Sequence, residues 1–486
     1  MTPRKRVNAV GTEPAGRSMW RKAVAGLFVV AILGSTIPAS AQTLVNRPFE
    51  DETWTEGLVD VRSLDISRTD LIDNGFAGRG LQVGIPEGGF RGLGPLDRLG
   101  PQDRADQAPD EAYFRYHIRL LSWNAAFTGK LPGLAGLYSS SGRGCIPPTE
   151  QDPGWSARGL FGPPGTQGAA PGEVPIGTYL YHADQAGTCG DTLWWATDLE
   201  QGRWYCVEGH VRMNTPGANN GVLRAWVDGE QVLRKTNIQF RRAGEGHIGV
   251  RHMWHNVYFG GSWSTPNPLS LVYDQVVVSD SHRVGCMTPF TDIANTVHAN
   301  ALTELHALGH LLGCEYRKAC PARELTRGEA AAFFSRIFRL PAPNRDFFDD
   351  DKGNIFEGAI NRTAAAGITE GCASRAFCPD VKITRAQFAA MVVRAMSLWG
   401  DAANAFGDDN GHWAENAIDK LAEAGLTNGC ADDRFCPNDP LTRDESATFF
   451  LRMLKQVEPL GLQGIEPPPD YPPPGEPPPI PPEERD

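Results

Sequence analysis

Three cysteine pairs set at one fixed spacing constrain this 486-residue chain more than any other feature. The segments Gly313-Cys314…Cys320-Pro321…Leu325-Thr326-Arg327, Gly371-Cys372…Cys378-Pro379…Ile383-Thr384-Arg385 and Gly429-Cys430…Cys436-Pro437…Leu441-Thr442-Arg443 align without gaps, each 58 residues after the one before. A fixed period marks an array of similar units that bury their apolar faces only against one another. In each unit a helical stretch precedes the Gly-Cys loop, as at Trp413–Ala424, and a second follows the Thr-Arg pair, as at Arg385–Leu398. Thr384 stands where an N-cap belongs, with a hydroxyl able to accept from first-turn amides. The arginine after it lies near the positive end of the helix dipole, a poor place for a cation. It therefore has either a task outside its own helix or an acidic neighbour to pack on.

The chain has ten cysteines, all from Cys145 onward and so beyond the N-terminal signal-like stretch, and this fits an oxidising compartment. Cys314/Cys320, Cys372/Cys378 and Cys430/Cys436 read as local disulfides, and zinc is disfavoured because the spacing is not C-x-x-C. Cys145, Cys189, Cys206 and Cys286 leave three pairings open, of which Cys145–Cys189 with Cys206–Cys286 is the expected one. At the N-terminus, Arg4, Lys5, Arg6, Arg21 and Lys22 precede an apolar run from Ala23 to about Ile37. Ala39-Ser40-Ala41 then supplies a small-x-small cleavage pattern. Residues 1–41 are read as an export signal rather than a retained anchor, since the run is short for crossing a bilayer. No later stretch is apolar enough to span, so we expect a secreted protein with no transmembrane anchor after cleavage.

Between signal and repeats the pattern is that of strands. Tyr113–Leu120, Arg203–Met213, Val222–Asp228, Gln231–Phe240, Val257–Phe259 and Leu269–Ser279 are rich in β-branched and aromatic residues. Asp228-Gly229 between two of them is a hairpin signal. Residues 42–109 are rich in Gly, Pro and Asp, with one strand-like piece, Leu81–Ile85. The whole indicates an all-β sandwich or jelly roll followed by an α-helical domain of three repeats. The expected boundaries are 42–286 for the β domain, then 287–344, 345–402 and 403–456 for the repeats. Residues 457–486 form a proline-dense tail that cannot fold alone. The net charge of −12 is uneven: residues 287–486 carry 19 Lys+Arg against 30 Asp+Glu, and residues 110–286 carry 14 against 15. Gross repulsion therefore does not keep a polyanion from the β domain. With no basic stripe, a nucleic-acid role is unsupported.

Three segments of the β domain bear chemistry: Gly129-Lys130-Leu131-Pro132-Gly133-Leu134, following a turn; Trp155-Ser156-Ala157-Arg158; and Gly177-Thr178-Tyr179-Leu180-Tyr181-His182. On strands, residues two apart share a face, so Ser156 projects with Arg158 and Tyr179 with Tyr181. Cations on such a face are poor core material unless an anion pairs with them. The set suits β-elimination in a uronate polymer: Lys or Arg neutralises the carboxylate beside C5, and tyrosines take and give the protons. His182 points to the other face and is a reserve base only. His247, His252 and His255 do not make a convincing metal set, and we expect neither metal nor cofactor.

These segments resemble polysaccharide lyase family 14, whose alginate and glucuronan lyases share a concanavalin-like jelly roll. The family's Lys-Leu-Pro-Gly-Leu, Ser-x-Arg and Tyr-x-Tyr are met in order by Lys130, Ser156, Arg158, Tyr179 and Tyr181. Gly202–Tyr205, Asn219–Gly221 and Tyr258–Gly261 are similar to its later strands. The resemblance implies that Lys130 and Arg158 neutralise the uronate, Ser156 positions it, and the tyrosines act as base and acid. The repeats resemble S-layer homology units, whose Thr-Arg-Ala-Glu signature stands here as Thr326–Glu329, Thr384–Gln387 and Thr442–Glu445, with Asp408–Ala414 as a unit's opening. That likeness implies binding of a cell-wall polymer through Arg327, Arg385 and Arg443, and attachment to the envelope. Gln387 replaces the acidic residue, and the first unit lacks the aspartate-tryptophan opening. The alternatives are a sugar-binding module using Trp155, Trp194 and Trp254, or a structural envelope protein.

Overall fold

The computed structural model describes residues 43–60, 65–100, 107–260 and 263–457. The expected export signal and the prolines of the tail lie outside them. The first strands are β1 (Thr43–Arg47), β2 (Thr69–Ile72), β3 (Gly80–Ile85), β4 (Arg91–Leu93), β5 (Leu96–Arg98), β6 (Glu111–Ser122), β7 (Gly129–Leu137) and β8 (Gly154–Phe161). There follow β9 (Glu173–Tyr181), β10 (Asp191–Glu200), β11 (Trp204–Arg212), β12 (Gly221–Val227), β13 (Glu230–Ile238), β14 (His252–Trp254), β15 (Val257–Phe259) and β16 (Leu269–Ser279).

They form two eight-stranded sheets. One runs β13-β12-β11-β6-β16-β3-β2 with β1 against β16; the other runs β10-β9-β8-β7-β14-β5, with β15 joining β7 to β4. Leu81, Ile118 and Leu271 of the first face Trp155, Phe161 and Leu180 of the second in one buried core, as in a β-sandwich. The hairpin expected at Asp228-Gly229 is present between β12 and β13, with both residues at positive φ (48° and 90°).

The structure adds what patterning does not. Among the described residues of 42–109 there are five strands rather than one; the four besides β3 are too short to show alternation. The segment Gly129–Leu134, which follows β6 through a turn as expected, opens β7, whose proline falls at a register shift between Leu131 and Gly133, where a missing amide is tolerated. Trp155 is not a groove residue: it is fully buried against Phe240 and donates to the Gly249 carbonyl.

The helical part contains α1 (Ala299–Ala307), α2 (Arg327–Ile337), α3 (Glu357–Ala365), α4 (Arg385–Ala395), α5 (Glu415–Glu423) and α6 (Arg443–Val457), two per unit. Thr326 and Thr384 cap α2 and α4 in reciprocal capping boxes with Glu329 and Gln387. Helix α5 begins two residues later than patterning suggests, leaving Trp413 exposed, and α4 ends at Ala395 before a left-handed Ser397. The first unit has no opening tryptophan, yet its Asp292 accepts from the amides of Ala319 and Cys320. Asp350 and Asp408 do the same for Phe377/Cys378 and Phe435/Cys436.

The three units close on themselves. Leu325 N donates to Leu441 O (2.8 Å), Leu441 N to Ile383 O (3.0 Å) and Ile383 N to Leu325 O (2.9 Å). Five disulfides are formed: Cys145–Cys189, Cys206–Cys286, Cys314–Cys320, Cys372–Cys378 and Cys430–Cys436. Where sandwich meets repeats, Phe76 stacks on His117 (3.6 Å) and sets its edge against His306 of α1 (5.1 Å). Arg203 there pairs with Glu304 at 2.6 Å.

Candidate active site

The register of the second sheet explains why separate segments meet. Reading across strands, Arg98, His252, Ala135, Ser156 and Tyr181 are successive partners. One step along, Leu96, Trp254, Gly133, Arg158 and Tyr179 form a parallel row. Lys130 pairs with Tyr258 in the next. Alternation sends Trp155, Ala157 and Leu180 inward to the core and leaves Ser156, Arg158, Tyr179 and Tyr181 on the opposite face.

All five candidate residues thus come together. The Lys130 ammonium lies 4.9 Å from the centre of the Tyr179 ring, and the Arg158 guanidinium lies 5.6 Å from Tyr179 and 5.9 Å from Tyr181. The two tyrosine rings meet edge to face at 5.3 Å. Arg158 rests on the Trp254 ring (4.5 Å) and donates to Asn256 Oδ1 (3.1 Å), and Lys130 donates to the Gly260 carbonyl (2.9 Å). Among the described residues, no carboxylate bridges to either cation. Burial, and then the Arg158 charge, lower the Lys130 pKa to about 8. Burial, and then the adjacent Tyr181 phenol, raise Tyr179 to about 12.

Access is unequal. Lys130 and Tyr179 are partly exposed, whereas Arg158 is 5% exposed, Tyr181 1% and Ser156 0%. The loop between β7 and β8 covers the last two: Cys145 N donates to Tyr181 Oη (2.8 Å), and Ser156 Oγ donates to the Gly142 carbonyl (2.7 Å). The Cys145–Cys189 disulfide ties this loop to the chain leading into β10. Ser156 therefore holds the loop. Asn256 and the Cys145 amide are site groups that no motif announced, because turns and backbone amides carry no residue pattern; Trp254 is expected from the sequence only as a groove aromatic of a sugar binder.

Two of the histidines are tied to carboxylates. His182 lies between Asp184 and Asp191, and His255 bridges Asp97 (2.8 Å) and Tyr273 (3.0 Å). His252 is buried in the row of Ser156 and Tyr181, its pKa lowered to about 3 by burial and by Arg251, Arg98 and Arg143.

Arg327, Arg385 and Arg443 are buried between units. Their Nε atoms donate to the carbonyls of Phe377, Phe435 and Ala319, each in the next unit around the ring. Their outer nitrogens reach Gln387 (3.4 Å), Glu445 (3.1 Å) and Glu329 (3.6 Å). The task outside the helix is thus that of a clamp.

Residues 81–276 match the model of the family described as polysaccharide lyase 14, and residues 347–389 and 405–447 match that of the S-layer homology domain. The chain carries a polysaccharide lyase 14 domain and S-layer homology domains. Among curated proteins, an S-layer protein of Bacillus thuringiensis subsp. finitimus is 31% identical over 143 residues, which is 28% of this chain and 17% of that protein. The exoglucanase XynX of Acetivibrio thermocellus is 33% identical over 107 residues, 22% of this chain and 10% of that one. The chain spans under a fifth of the length of these relatives. Among solved structures, a complex of the alginate lyase Aly36B is 21% identical, covering 44% of this chain and 85% of that one with a TM-score of 0.36. The marine PL-14 alginate lyase of Aplysia kurodai is 18% identical, covering 44% and 87% with a TM-score of 0.35.

Proposed function

We propose that the β-sandwich is a polysaccharide lyase acting on uronate polymers of the alginate or glucuronan kind, held at the cell envelope by its helical units. The family match over residues 81–276 supports this. The observation that carries it is a buried cation, Arg158, and a half-buried one, Lys130, meeting at Tyr179 with no carboxylate between them among the described residues. Buried cations are costly without a partner, and a uronate carboxylate is the anion that fits. With that charge neutralised, a tyrosine phenolate takes the C5 proton. The C4–O bond then breaks as the C4=C5 double bond forms, and a phenol protonates the leaving oxygen. The two tyrosines divide these tasks, and no cofactor enters. The jelly-roll connectivity of such lyases belongs to the same reading.

The test is the ultraviolet absorbance of the unsaturated product, followed with the full chain on alginate, glucuronan and other polyuronates. A rise that disappears in Tyr179→Phe and Tyr181→Phe supports the lyase; a flat trace over the whole panel refutes it. The second reading, a sugar-binding sandwich that does not cut, is favoured by the coverage of Tyr181 and Ser156. It predicts retained glycan binding beside that flat trace.

Envelope attachment rests on the S-layer homology match. Val297, Ile355 and Trp413 occupy one position of the three units and are exposed at 93%, 50% and 67%. These side chains, repeated once in each unit, offer apolar contacts to a wall polymer. Cosedimentation of the full chain with cell-wall preparations, lost in Trp413→Ala, is the expected result.

A further inference from the structure

The period of 58 residues allows the units to be compared atom by atom. In the second unit Asp351 is fully buried, and Asn361 satisfies one of its oxygens: Asn361 Nδ2 donates to Asp351 Oδ2 (3.3 Å) and to the Glu357 carbonyl (3.1 Å). Asn361 Oδ1 meanwhile accepts from Phe347 N at 2.8 Å. In the third unit the same places are held by Asp409, Asp419, Glu415 and Ala405. Asp419 Oδ1 accepts from Ala405 N, again at 2.8 Å, so the side chain keeps its orientation. Its other oxygen then stands where Asn361 has its donor, facing the Asp409 carboxylate and the Glu415 carbonyl. Three oxygen groups converge, and the hydrogen between them has been removed.

Asp409 bears this out. It is 0% exposed, and neither carboxylate oxygen has a hydrogen-bond partner. No salt bridge reaches it among the described residues. The charges that bear on it are those of Asp419, Glu415 and Asp408. Asp408 is already engaged by the amides of Phe435 and Cys436, and Glu415 by that of Gly411. A shared proton would serve one Asp409 oxygen and leave the other bare, whereas a cation takes both.

We propose that the third helical unit binds a divalent cation of the calcium class between the Asp409 carboxylate, Asp419 and the Glu415 carbonyl. Hard oxygen ligands of mixed carboxylate and carbonyl type, completed by water, are what such an ion takes. The first unit offers nothing comparable, with Ile293, Thr303 and Ala299 at the corresponding positions. The second lacks one charge, having Asn361, and is expected to bind weakly or not at all.

The experiment is calorimetric titration of the full chain, stripped with a chelator, with CaCl2, paired with thermal unfolding. One site is expected, with a dissociation constant of about 10⁻⁴–10⁻³ M, as in extracellular modules, and a rise in melting temperature on adding Ca²⁺. Asp419→Asn, which restores the second unit's hydrogen bond, should keep the fold and weaken binding by at least about tenfold. Asn361→Asp should add a second site. Absence of Ca²⁺-dependent heat and melting shift in the unaltered chain overturns the proposal, as does binding that survives Asp419→Asn. It is also overturned if lowering the pH, and not Ca²⁺, raises the melting temperature.

Discussion

At the scale of single residues, the site is decided by what its cations lack. Lys130 titrates at about 8 because burial and Arg158 both oppose its charge. It is cationic below that pH and neutral above, so kcat/KM, which reports the free protein, should fall as pH rises through about 8. A bound carboxylate favours the ammonium, so the fall in kcat should lie at higher pH. Lys130→Ala should reduce kcat/KM by about 10²–10³ and abolish that limb, as measured by product absorbance across a pH series. These groups were legible in the sequence because strand alternation alone places Arg158 with Ser156 and Tyr179 with Tyr181. The covering of Tyr181 was not legible, since a loop amide 36 residues away supplies it.

Between elements, the arginine after each cap joins one helix to the loop of the next unit. Removing Arg385 would leave the Phe435 carbonyl and Glu445 Oε1 without their donor. Arg385→Ala should therefore cost about 2–4 kcal/mol of unfolding free energy in a denaturant titration. Arg327 is the weaker case: it meets the neutral Gln387, and its Nη2 has no partner. Gln387→Glu would give it a charged acceptor and should stabilise the chain by about 1 kcal/mol in the same assay. The sequence showed both the misplaced cation and the departure at Gln387. It could not show that the residue closing a capping box also receives an arginine from another unit, because one side chain then answers to two neighbours far apart in the chain.

For the molecule as a whole, the junction of sandwich and helices is sensitive to acid. His117 and His306 are buried on either side of Phe76, and burial lowers both pKa values, that of His306 to about 3. Unfolded, each would titrate near 6.5, so the unfolded chain binds more protons between those limits and stability falls as pH drops through that window. For His306 alone the loss between pH 8 and pH 5 is about 2 kcal/mol, measurable by urea unfolding, and His306→Phe should flatten the profile. Composition foretold a β part and a helical part; their contact was hidden because Phe76 lies in a Gly-rich stretch that reads as loop. The ring of Leu325, Leu441 and Ile383 carries a different lesson. An open array has two ends and can lengthen or shorten by a unit, each end needing its own cap. A cycle that returns to its start after three steps has no end to extend, so this domain has a fixed membership: a fourth unit would find no vacancy, and the loss of one would leave two strangers facing each other.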